Sequence, residues 1–118
     1  MVRVITDLRL LLEVPRNERN RQWAQDVCTC SRAIHISVWR DRMDVEMVAT
    51  DMLPLLRHAR SALIDYSRCA QTGDENAQHM GRSYAENVGL RIQNLARYVG
   101  GQPSHFVEES VLKTCRRV

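Results

Sequence analysis

Apolar residues recur along this chain at steps of three and four, the spacing that places side chains on one face of an α-helix. The pattern is cleanest near the end, where Ala77, Met80, Tyr84, Val88, Ile92, Leu95 and Val99 form an unbroken seam several turns long. A second long stripe runs from Val45 through Val48, Met52, Leu56, Ala59, Leu63 and Tyr66 to Ala70. Ahead of it Ala24, Val27, Ser31, Ile34 and Val38 repeat at the same spacing, and Val4, Leu8, Leu11 and Leu12 share one face of a shorter first segment.

Helix-ending and helix-starting residues divide these stripes. Pro15 closes the first segment, and Asn17 offers a side-chain acceptor to the free amides of the second. Asp44 is the expected start of the third. Gly73 supplies a left-handed stop and Asp74 a new cap, with Thr72 to Glu75 as an alternative start at capping-box spacing. Gly100 and Gly101 end the fourth helix, Pro103 blocks its continuation, and Ser104 is placed to cap a short last helix carrying Phe106, Val107, Val111 and Leu112.

Two stretches read in two ways. Residues 33–39 alternate, with Ile34, Ile36 and Val38 on one side and His35, Ser37 and Trp39 on the other, which suits a strand. Its only candidate partner is Val2 to Ile5, and a lone two-stranded pair is marginal in water, so the helix is favoured. Pro54 interrupts the third stripe: either the helix kinks there, or it restarts with Asp51 as cap and Pro54 in its first turn. Short turns between such helices lead to antiparallel packing. The expectation is one all-α domain over 1–118, a four- or five-helix bundle with helices at 44–71 and 75–99 as its spine.

Composition narrows the class without naming a function. A chain of 118 residues with 44% hydrophobic and 26% charged residues can bury a core without disulfide or metal staples. The longest apolar run, Leu10-Leu11-Leu12, is far short of a membrane span of ~20 residues. Arg3, Asp7 and Arg9 interrupt any apolar stretch at the start, so no secretory leader is expected. Cys28, Cys30, Cys69 and Cys115 are then expected to be reduced in a cytoplasmic setting. The C-x-C pair at 28 and 30 fits neither a redox motif nor a zinc knuckle, since on a helix the two thiols point about 200° apart.

Lys113 is the only lysine beside 16 arginines, while the net charge is just +3 because acidic residues are interleaved. Arginine suits carboxylates and phosphates, although a GC-rich genome produces the same skew. Arg57 and Arg68 fall within about 20° of each other on the third helix, with Arg60 about 60° away. Arg21 and Arg32 align in the same way on the second. Such faces can grip phosphates, or lie idle on a solvated surface broken by Asp65 and Asp26.

Gly81, Ala85, Gly89 and Ala96 line a flank of the fourth helix that lacks bulk. Each glycine costs a helix ~1 kcal/mol relative to alanine, so a close helix–helix contact is expected there, either with a second protomer or inside the same bundle. Trp23 and Trp39 point about 160° apart, so one of them needs a second covered surface, under the first segment or at an interface.

Catalytic signals are weak. His35, His58, His79 and His105 stand in separate segments, with no metal-ligand or di-iron pattern. Glu75 and His79 share one helix face but read equally well as an exposed capping turn. Cys28 and His35 share a face about 10 Å apart along the axis, too far for proton transfer. Neither a cofactor, a metal nor an enzymatic activity is expected. Two functions follow: a protein-interaction module, homodimeric through Gly81, Ala85, Gly89, Ala96 and Trp39, or a nucleic-acid binder that holds phosphates with Arg57, Arg60, Arg68, Arg21 and Arg32.

Overall fold

Three of the helices begin where a side-chain oxygen takes up a free amide. Asn20 Oδ1 accepts from the Trp23 amide at 2.9 Å, Asp44 Oδ2 from Met47 at 3.1 Å, and Asp74 Oδ1 from Ala77 at 3.1 Å. The structure is a computed structural model and describes residues 2–70 and 74–101. Its elements are α1 (Val2–Glu13), a 3-10 turn (Arg16–Glu18), α2 (Arg21–Asp41), α3 (Val45–Met47), a π-helical turn (Val48–Met52), α4 (Leu53–Cys69) and α5 (Glu75–Val99). The fold is an all-α bundle, with no strand among the described residues.

Asn17 does not cap α2. It lies in the 3-10 turn, and Arg19 holds that turn against the end of α1. Arg19 donates from Nε to the Val14 carbonyl at 3.0 Å and from Nη2 to the Leu12 carbonyl at 3.3 Å. These are carbonyls that a helix end leaves without partners. The start of α2 is thereby delayed to Asn20. Residues 33–39 are helical, because Ile34, His35 and Val38 turn into the core at helical spacing.

Pro54 neither breaks the third helical segment nor restarts it at Asp51, which is exposed and caps nothing. The Leu53 amide reaches back five residues to the Val48 carbonyl, so the ladder widens by one residue just before the proline. Pro54 then falls in the first turn of α4, where a missing N–H costs nothing. From Val45 to Cys69 the chain runs on without a non-helical break.

The most extensive packing joins α4 to α5, then α2 to α5 and α1 to α2. Leu8, Ile34, Met52, Leu56, Leu63 and Leu95 are fully buried at the centre. Each contributes about 2 kcal/mol by leaving water. Val45, read as the first member of the third stripe, is the first residue of α3 and stays exposed. On α5 the deepest face is rotated from the seam read in the sequence: Gly81 and Ala85 are buried, while Tyr84 and Ile92 are half-buried. The Gly73 stop, the Thr72 start and the short last helix at Ser104 lie outside the described residues.

Candidate functional site

The small-residue flank of α5 is where α4 comes closest. A Cβ placed on Gly81 would stand 2.9 Å from Ser67 Cβ and 3.1 Å from both Ser67 Cα and Tyr66 Cδ2. No side chain fits there, so the cost of the glycine is offset by the contact it permits. Of the two contacts expected at this flank, the one inside the same bundle is made at Gly81 by α4, and Ala85 is buried beside it. Gly89 is half-buried, and its missing side chain leaves room for Arg60, whose Nε would be 3.2 Å from an added Cβ. Ala96 is exposed.

Trp23 is buried and Trp39 half-buried, and each meets a partner within the chain. Trp23 donates from Nε1 to the Leu11 carbonyl at 2.7 Å, with the Arg19 guanidinium 4.6 Å above its ring. Trp39 meets Tyr98 of α5 edge-on, with ring centroids 5.0 Å apart, and the Tyr98 hydroxyl donates to the Met43 carbonyl. Aromatic pairs of this geometry add to the apolar burial. Trp39, half-buried, thus has an aromatic partner on α5.

Seating Arg60 on Gly89 also places it among other arginines. Arg60 and Arg68 of α4, with Arg82 of α5, line a groove of about 540 Å³ whose floor includes Ile64, Ser67 and Ala85. On the opposite flank of α4, Arg16 and Arg19 join His58 and Arg68 around a second groove of about 550 Å³. Ile64 and Arg68 border both grooves, so the two flank one helical ridge. Five arginines line the pair against two carboxylates, Asp65 and Glu86. Asp65 bonds Arg16 at 2.9 Å and stands 4.0 Å from Arg19. Arg60, Arg68 and Arg82 form no ion pair among the described residues.

The remaining expected arginines lie elsewhere. Arg57 is exposed on α4 but borders neither groove. Arg21 pairs with Asp74 at 3.0 Å, tying the start of α2 to that of α5. Arg32 is half-buried on α2 and borders neither groove. Arg16, Arg19 and Arg82 were not legible as members of the site, because a face read along one helix cannot include residues from its neighbours.

A second polar cluster, between α2 and α5, is closed to solvent. Arg91, only 4% exposed, donates from Nη1 to Ser31 Oγ at 2.7 Å and to the Cys28 carbonyl at 3.2 Å. His35 is fully buried, with Nε2 3.4 Å from Asn94 Nδ2. Burial first, and the charge of Arg91 second, hold the His35 pKa down at about 4. Cys28 Sγ meets Arg91 at 3.5 Å. The sequence signals of this seam were Ser31 within the apolar stripe of α2 and the helix face shared by Cys28 and His35.

Glu75 and His79 are both exposed, and no third His, Cys, Asp or Glu joins them in a metal-holding group among the described residues. No described helix is long and apolar enough to cross a membrane. Compared with known proteins, the chain matches no family model, no curated protein and no solved structure.

Proposed function

We propose that this chain is a non-catalytic interaction module that docks an anionic partner on the arginine ledge of α4 and α5. One observation carries the reading: Arg60, Arg68 and Arg82 converge on an open groove, and among the described residues no carboxylate is paired with any of them. Arginine forks without an ion-pair partner among the described residues suit phosphate or carboxylate bound in bidentate fashion. The free thiols of Cys28, Cys30 and Cys69 suit a reducing, cytoplasmic setting.

The test is retention on an immobilised sulfated polysaccharide, read as the salt concentration at elution. Arg60→Glu with Arg68→Glu and Arg82→Glu should elute well before the native chain, whereas Arg40→Glu, outside both grooves, should shift it much less. Equal retention of the triple variant and the native chain would remove the ledge as the docking surface. Self-association through α5 is a separate matter for light scattering: a mass near 13.7 kDa means one chain, and twice that, reduced by Gly89→Leu, would return the homodimer reading.

A further inference from the structure

We infer that the anionic partner on the ledge is a second copy of this chain, which offers the groove between its α1 and α2; the inference rests on the ledge being the docking surface. That groove encloses about 450 Å³. Asp7, Leu10, Leu11 and Val14 border it from one side, Asp26 and Cys30 of α2 from the other. Asp7 and Asp26 are the only charged side chains on it, and neither forms an ion pair among the described residues. Asp26 accepts a neutral hydrogen bond from Gln22 Nε2 at 2.8 Å. Burial first, then the charges of Asp7 and Asp26, push the Cys30 thiol pKa up, so both carboxylates act on one spot.

Each of the two surfaces holds what the other lacks. The ledge groove brings Arg60, Arg68 and Arg82 against the single carboxylate of Glu86, with Ile64 as its large apolar residue. The α1–α2 groove brings two carboxylates and an apolar lining, with Leu10 left 56% exposed. Arginine forks over a rim of aspartates, with leucine beside isoleucine beneath them, make a polar rim around an apolar centre, the usual anatomy of a protein interface. A polyanion without apolar groups would use the charges and leave Leu10 in water.

The packing order selects a second copy over contact within one chain. Helix α1 packs on α2, α2 on α5, α5 on α4, and α4 back on α1. The α1–α2 edge and the α4–α5 edge therefore lie on opposite sides of the bundle, and no chain can close its own ledge on its own groove. A neighbour can, and both surfaces come in equal number. Such a contact joins unlike surfaces, so every bound pair still offers one ledge and one groove, and assembly continues past two chains.

Sedimentation velocity of the full chain at concentrations up to about 1 mM tests this. The average mass should rise from 13.7 kDa, pass twice that value, and fall back when salt is raised. Asp7→Arg with Asp26→Arg makes both surfaces cationic, and Arg60→Glu with Arg68→Glu turns the ledge acidic. Each variant alone should associate roughly tenfold more weakly than the native chain, and an equimolar mixture of the two should recover association. An unfolded variant would not be rescued in this way, and circular dichroism checks each one. Alkylation of Cys30, followed by peptide mapping, should slow several-fold in the assembled native chain. A native mass that stays at 13.7 kDa throughout would overturn the inference, while the ledge still stands or falls by retention on the sulfated matrix. Assembly that stops at two chains, or a mixture that stays dissociated, would overturn the head-to-tail contact. Unchanged alkylation of Cys30 on assembly would remove the α1–α2 groove as the seat.

Discussion

The two faces of α5 solve the same packing problem in opposite ways. Toward α4 it presents Gly81 and Ala85, so that the helices nearly touch backbone to backbone. Toward α2 it presents Arg91 and Asn94, long polar groups that reach Ser31, Cys28 and His35. Two arginines nine residues apart on this helix have opposite fates. Arg91 is enclosed and holds the bundle together, whereas Arg82 lies at the surface beside Arg60. Burial rather than residue type decides which arginine serves folding and which is left for a partner.

The polar face should give way first, and to acid. His35 is held near pKa 4 in the folded chain, against about 6.5 when unfolded. Between those values the unfolded chain binds more protons, so stability rises with pH across that window, is complete above about 6.5 and is lost as pH falls toward 4. The full effect is about 3 kcal/mol. Urea midpoints measured from pH 7 to pH 4 should fall accordingly, and His35→Gln should flatten the curve. A variant that falls as steeply as the native chain would place the acid sensitivity elsewhere.

Removing one acceptor from Arg91 probes the same face by a smaller step. Ser31→Ala leaves the guanidinium without its shortest hydrogen bond and should cost about 2 kcal/mol in chemical denaturation. An unchanged midpoint would mean that the Cys28 carbonyl alone suffices.

On the other face the glycines should respond with opposite signs. At Gly81 an added methyl meets the backbone of Ser67, so the helices must part. Gly81→Ala should lose about 1 kcal/mol net, overpacking outweighing the gain in helix propensity. At Gly89 the obstacle is the far end of a mobile arginine, which can swing aside. Gly89→Ala should gain a few tenths of a kcal/mol in thermal unfolding while weakening retention on the sulfated matrix. Loss of stability at both sites would mean that Arg60 is held as firmly as Ser67.

Much of this architecture was legible from the sequence. Caps at Asp44 and Asp74, the helical reading of 33–39 and the two-helix spine follow from local chemistry and from periodicity. Other features depended on residues far apart in the chain. The cap of α2 moved to Asn20 because Arg19 reaches back to carbonyls of α1. Arg91 could not be read as buried, since its acceptors lie about sixty residues earlier on α2. Half of the ledge was hidden for the same reason: Gly89 and Arg60 looked like rival features of two helices until packing made one the seat of the other.

The widened turn at Val48–Met52 has a consequence for everything downstream of it. One extra residue in a turn rotates the following helix by about 100° around its own axis. That rotation sets which side of α4 looks inward, with Leu56 and Leu63, and which looks outward, with Arg60 and Arg68. Straightening the pitch with every residue kept would swing the cations toward the interior. Deleting a single residue between Val48 and Met52 would instead remove the extra residue together with the bulge and leave them outside, so the widened turn fixes where the charge points.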